Sequence, residues 1–143
     1  MDSAAPTRPY LMNDTFAHKI LIVDDEPHIR VYLRLVVTGL GAVEIREAAD
    51  GAAALLMYQQ FAPDLVLLDI NLLGEDGVSV LGKLLAFDPL AKVVMLTAVA
   101  SREIVEKCAA AGALNFIRKD MPRPDLVKTL HDTWAGLNLV HPA

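Results

Sequence analysis

The chain has 143 residues, 54% of them hydrophobic and 22% charged, with a net charge of −5 at pH 7. That length suits one domain with a substantial core, the hydrophobic share excludes a largely disordered chain, and the acidic balance argues against a general nucleic-acid or anionic-membrane surface. The single cysteine, Cys108, has no partner for an internal disulfide or a cysteine-based metal site and reads as a small buried hydrophobe.

No apolar stretch approaches the roughly 20 residues that span a bilayer. Residues 1–18 are polar and proline-containing, with no signal-type apolar segment. They are expected to form a flexible leader ahead of one domain over residues 19–140, in a cytoplasmic protein. "KILIVD" (19–24) is a short β-branched run of the kind buried strands use. Pro27 then opens a helix whose core positions are Ile29, Leu33, Val36 and Leu40, ended by Gly39 and Gly41. "VEIREA" is a second strand. "DGAAALLMYQQF" is a second helix, capped by Asp50 and stopped before Pro63.

"DLVLLDI" is a third strand with almost no polar content until Asp69, followed by a glycine-containing loop, "NLLGEDG", and a helix over "VSVLGKLLAF". "AKVVMLTA" is the fourth strand, "SREIVEKCAAAG" a helix capped by Ser101 and stopped by Gly112, and "LNFIRK" a short fifth strand. The last helix, "PRPDLVKTLHDTWAGL", opens on prolines with Asp125 in its first turn. Five strands alternating with five helices predict an α/β fold: a doubly wound, five-stranded parallel (βα)5 sheet of flavodoxin-like strand order 2-1-3-4-5.

Right-handed crossovers return every strand in the same direction, so the residues that end the apolar runs gather on one edge. Those residues are Asp24 and Asp25, Asp69, Thr97 and Lys119. For this strand order the chain reverses between the first and third strands, where α/β sheets bind ligands, and both of these strands end in aspartate. Three crowded carboxylates raise one another's pKa unless a cation neutralises them, and an all-oxygen set with few protein ligands suits Mg2+. A divalent cation, a lysine and a threonine hydroxyl together are suited to hold a phosphoryl group. The sequence contains no GxxxxGK[ST] loop and no glycine fingerprint after the first strand, which argues against nucleoside triphosphate and dinucleotide binding.

The set "VDDE", "LLDINLLGEDG", "MLTA" and "NFIRK", in this order, resembles the receiver domain of two-component response regulators, over roughly Lys19 to Leu137. The resemblance implies a signalling switch, not an enzyme acting on a separate substrate. Asp69 would accept a phosphoryl group from a histidine kinase or histidine phosphotransfer protein. Asp24, Asp25, Asp69 and the backbone carbonyl of Asn71 would hold Mg2+. Lys119 and Thr97 would meet the phosphoryl oxygens, and Phe116 would turn inward as Thr97 moves. Ala98 and Gly77 match small-residue positions. The resemblance names no downstream target and leaves a homodimer open.

The chain departs from the family pattern at two positions. Asp120 stands where proline commonly follows the lysine, which predicts a trans bond or a rearranged loop, since a cis bond there would cost about 3 kcal/mol. Leu73 stands where proline is common after the acceptor, which predicts a more mobile loop. Val99 offers no polar group to an attacking water, which predicts slow self-dephosphorylation.

Val31 and Leu35 fall on the first helix opposite its core face, flanked by Arg30 and Arg34, and are candidates for docking the phosphodonor. Glu26 either orients the metal shell or is a solvated helix-start residue. His28, His131 and His141 read as surface residues, Met57 and Met95 as core, and Trp134 as core in preference to an output or dimer face. Two rival readings stand beside the switch. One is a receiver cut from a longer DNA-binding or catalytic regulator, which the end at "LNLVHPA" without a linker weakly opposes. The other is a Mg2+-dependent phosphohydrolase, which lacks its usual DxD motif here.

Overall fold

The computed structural model describes residues 16–98 and 100–140, the last four by backbone alone. In chain order the elements are β1 (Lys19–Val23), α1 (Pro27–Leu40), β2 (Glu44–Ala48), α2 (Gly51–Phe61) and β3 (Leu65–Asp69). A two-residue pair follows, β4 (Asn71–Leu72) and β5 (Glu75–Asp76). Then come α3 (Gly77–Phe87), β6 (Val93–Thr97), α4 (Arg102–Ala110), β7 (Asn115–Arg118) and α5 (Arg123–Val140). The main sheet runs β2-β1-β3-β6-β7, with every pairing parallel. This is the doubly wound order expected from the alternation of strands and helices.

The central strands β1, β3 and β6 are buried on both faces, which explains why they read as unbroken apolar runs and not as alternation. Successive residues point to opposite faces and feed two cores. Leu21, Val23, Val66, Leu68, Val93 and Met95 pack under α2, α3 and α4. Ile20, Ile22, Leu65, Leu67, Val94 and Leu96 pack under α1 and α5. Each buried leucine or isoleucine contributes about 1.5–3 kcal/mol relative to exposure.

The caps read from sequence are in place. The side chains of Asp50 and Ser101 accept from the backbone N–H groups of Ala53 and Ile104. Gly41, at φ 113°, ends α1 in the left-handed conformation that a side chain disfavours, whereas Gly39 lies within the helix. Cys108 is fully buried, and burial pushes its thiol pKa up. Met95 is buried, and Met57 packs against the same core. Trp134 packs against the α1/α5 core, its ring 6.2 Å from that of Phe16. Phe16 and Ala17 are themselves core residues, so packed structure begins ahead of β1. Among the described residues no helix is long and apolar enough to cross a membrane.

The glycine-containing loop after Asp69 forms the β4–β5 hairpin, with Asn71 opposite Asp76 and Leu72 opposite Glu75. Gly74, at φ 84°, supplies the turn.

Candidate functional site

The carboxyl ends of β1, β3, β6 and β7 share one sheet edge, and that edge holds the only buried polar residues described: Asp24, Asp69 and Thr97. Asp24 follows Val23, Asp69 ends β3, Thr97 ends β6, and Lys119 follows Arg118. Because β1 is flanked by β2 on one side and β3 on the other, the reversal of strand order falls between the two aspartate-ended strands.

One carboxylate oxygen from each of Asp24, Asp25 and Asp69 lies within 4.8 Å of the others. Lys119 Nζ bridges two of them, at 2.5 Å from Asp24 Oδ2 and 3.1 Å from Asp69 Oδ2, and lies 3.8 Å from Glu26 Oε1. Asp24 Oδ1 accepts from the Glu26 N–H at 2.9 Å. Its Oδ2, fully buried, has the ammonium beside it but no hydrogen-bond donor aligned on it. The Asn71 N–H donates to Asp69 Oδ1 at 3.1 Å.

Burial pushes the Asp69 carboxyl above its ordinary pKa. The Asn71 N–H works against this, Asp24 reinforces it, and Lys119 offsets part of it. Burial also penalises the Lys119 ammonium, but Asp24 and Asp69 together outweigh that penalty and raise its pKa. The clustered carboxylates share the Lys119 ammonium with Glu26, so negative charge stays in excess, and a divalent cation would offset it. Octahedral Mg2+ spaces its oxygens by about 3 Å along edges and about 4.2 Å across diagonals, so small side-chain rotations would bring the three carboxylates into range. The donor set fits the cation.

The other expected site residues are placed as follows. Thr97 is buried at the end of β6, with exposed Ala98 beside it. Phe116 stands opposite Met95 and is half-buried against the α2–α4 core. The Gly77 N–H donates to the Ile70 carbonyl at 2.7 Å. Asn71 opens β4, and together with Asp25, Leu72, Leu73 and Ile104 it walls a cavity of about 340 Å³ beside the cluster. No peptide bond among the described residues is cis, so Lys119–Asp120 is trans. The Asp120 carboxylate takes both Nε and Nη2 of Arg118, at 3.1 and 2.7 Å.

Val31 and Leu35 are 58% and 55% exposed. The arginines beside them do not form a free rim, because both are paired with Glu47 on β2, Arg30 at 3.0 Å and Arg34 at 2.7 Å. Arg30 Nη1 also donates to the Asp24 main-chain carbonyl at 2.6 Å, a contact next to the acidic pair that sequence reasoning missed. No local signal marks it, because the bracing partner Glu47 comes beside Arg30 only through the pairing of β2 with β1, which sets Glu47 opposite Ile22. Glu26 is exposed and at the N-terminal cap position of α1. Its side chain caps nothing and faces Lys119. His28 is exposed and His131 is near Asp132 at the surface. Val99 and His141 lie outside the described residues, as does the side chain of Leu137.

A doubly wound α/β sheet with an acidic, lysine-bridged pocket at its reversal point defines a class, that of CheY-like proteins. Residues 20–131 match the family model of the response regulator receiver domain, and the chain belongs to that family, the signalling switches of two-component systems. It is 39% identical over 101 residues to protein CcdB of Bacillus subtilis, covering 71% of this chain and 84% of that one. It is 32% identical over 117 residues to the chemotaxis protein CheY of the same organism, covering 82% and 98%. Among solved structures it resembles the CheX–CheY–BeF3–Mg2+ complex of Borrelia burgdorferi, with a TM-score of 0.78 and 30% identity, covering 83% of this chain and 90% of that one.

Proposed function

We propose that this chain is a phosphorylation-controlled protein-interaction switch in a phosphorelay, with a receiver domain that extends from Phe16 through residue 140, working in the cytoplasm. The observation that carries the reading is the buried Lys119 ammonium shared by Asp24 and Asp69 at the sheet's reversal point. An Asp69 oxygen attacks the phosphorus of a phosphohistidine donor, the P–N bond breaks, and its electron pair leaves with the imidazole.

Asp24, Asp25, Asp69 and the Asn71 carbonyl would hold Mg2+, which when bound neutralises charge developing on the phosphoryl oxygens. Lys119 supplies a second positive charge from the β7 side. The Thr97 hydroxyl donates to a phosphoryl oxygen, and Phe116 follows it inward. Phosphorylation replaces a −1 carboxylate with a group of about −2 charge and three acceptor oxygens, which biases the β6–α4–β7–α5 surface between two states. The Borrelia burgdorferi relative, crystallised with BeF3, Mg2+ and CheX, supports both the cation and a protein partner.

Incubation with a small acyl phosphate and Mg2+, read by intact mass, tests the acceptor. The wild type is expected to gain one phosphoryl group and Asp69→Asn none. Asp69 holds its proton more tightly folded than unfolded, so its ionised form costs stability at neutral pH, and Asp69→Asn is also expected to melt higher. A phosphorylated Asp69→Asn, or an unreactive wild type, overturns the assignment.

Val31 and Leu35 present an apolar patch beside the site, suited to the helical face of a histidine kinase or phosphotransfer domain. Leu35→Asp is expected to slow transfer from the cognate phosphohistidine protein by about tenfold or more, a loss of ~1.4 kcal/mol. Reaction with the small acyl phosphate should be unchanged. Equal transfer rates from the protein donor would remove the docking role.

A further inference from the structure

We infer that Arg30 is a positioning residue that orients the Asp24–Asp25 peptide so that the Asp25 carboxylate faces the cation; the inference rests on reading the acidic cluster as a cation site. Arg30 lies in the first turn of α1, its backbone N–H closing on the Glu26 carbonyl at 3.1 Å. Side chains on a helix lean toward its N-terminus, so the guanidinium folds back over the acidic turn. There its planar fork serves two acceptors at once: the Asp24 carbonyl through Nη1 at 2.6 Å and Glu47 Oε1 through Nε at 3.0 Å. The Arg30 side chain is mostly buried, 18% exposed. Burial opposes the charge on Glu47, but Arg34 and Arg30 more than offset this and hold its carboxyl below the usual range. Glu47 is therefore a fixed anion on β2 against which Arg30 is braced.

Asp24 has anchors of its own. Its N–H donates to the Ala48 carbonyl at 3.1 Å, its Oδ1 accepts from the Glu26 N–H, and its Oδ2 lies beside Lys119. Asp25 has none of these, because among the described residues its carboxylate makes no hydrogen bond or ion pair. Its direction is set by the backbone that carries it. The peptide between the two aspartates is planar, so holding the Asp24 carbonyl toward Arg30 points the Asp25 N–H the other way and fixes the N–Cα bond about which the Asp25 side chain is set. Only a forked donor reaches the carbonyl and Glu47 together; a lysine is a point charge that satisfies one of them.

The test is calorimetric titration of Mg2+ into the full chain at fixed ionic strength, for the wild type, Arg30→Lys, Arg30→Met and Arg34→Met. Melting temperatures without magnesium are measured in parallel. Both Arg30 variants are expected to bind magnesium about tenfold more weakly or worse, the usual effect of removing a group that orients a metal ligand. Arg34→Met loses its own pair with Glu47 without touching Asp24 and is expected to bind as the wild type does. Unchanged affinity in both Arg30 variants, with or without a fall in melting temperature, overturns the inference. So does loss in Arg30→Met alone, which would make charge and not the fork responsible. A wild type indifferent to magnesium overturns the reading beneath the inference, and the inference with it.

Discussion

Replacing Lys119 with methionine is expected to destabilise the metal-free protein by about 3 kcal/mol at neutral pH. It is also expected to slow phosphoryl acceptance at Asp69 by about a hundredfold or more. The stability loss follows from burial. The Lys119 side chain is only 10% exposed, and Asp24 beside it is fully buried, so removing the ammonium leaves carboxylates facing one another in a medium that screens them poorly. The rate loss follows because the same ammonium faces the oxygens on which charge builds during transfer. Magnesium should restore part of the stability, since it replaces the missing positive charge, and the variant should bind it more tightly with no ammonium competing for Asp24 and Asp69.

The pH dependence has a definite sign. Burial lowers the Lys119 pKa, but the two aspartates more than reverse this, so the folded state holds the proton more tightly than the unfolded chain does. That contribution is complete below the ordinary lysine pKa of about 10.4 and is lost as the pH rises through the raised folded value. Denaturant titrations in chelator should therefore show the wild type losing stability above that pH, while the variant lacks this step. On acidification the variant's deficit should shrink, because Asp69, already raised by burial and by Asp24, takes up a proton and relieves the repulsion. Equal stability of the two proteins at neutral pH would mean that the ammonium and the carboxylates do not act on one another.

The aspartates, threonine and lysine of this pocket were legible in the sequence because each interrupts or follows an apolar run. A polar residue at the end of a doubly buried strand has nowhere to go but the sheet edge, and parallel winding makes that edge common to all five strands. The same logic found the outer face of α1, since helical spacing assigns Ile29, Leu33 and Val36 inward and leaves Val31 and Leu35 to solvent. Contacts that depend on pairing between strands were not legible. Glu47 could claim Arg30 and Arg34 only once β2 was known to lie beside β1 with Ile22 opposite Glu47. The β4–β5 hairpin was hidden because two-residue strands carry no periodicity. Phe16 was assigned to the leader because an aromatic in a polar stretch gives no local sign of the ring it packs on, here Trp134.

Gly77→Ala is expected to destabilise the fold by about 3 kcal/mol, the top of the usual range for overpacking, and to impair the acceptor at the same time. Alanine is the better residue inside a helix by about 1 kcal/mol, and Gly77 is the first residue of α3, so propensity alone predicts a gain. Sterics decide otherwise. A Cβ at position 77 would overlap the Asp69 carbonyl oxygen and come within 2.7 Å of Ile70 Cα. Both are backbone atoms, and the Gly77 N–H is bonded to the Ile70 carbonyl across the same gap at 2.7 Å, so no rotamer change can make room. Relief requires the Asp69–Ile70 segment to shift, and that segment carries the acceptor carboxylate and its Asn71 N–H contact. The internal control is Gly82→Ala in the same helix, where an added Cβ meets nothing within 4 Å. It is expected to stabilise by up to about 1 kcal/mol and to leave phosphorylation unchanged. Thermal melts and acyl-phosphate labelling of the two variants side by side check the pair. A Gly77→Ala protein as stable and as reactive as Gly82→Ala would show that the backbone approach between α3 and the end of β3 does not constrain the site.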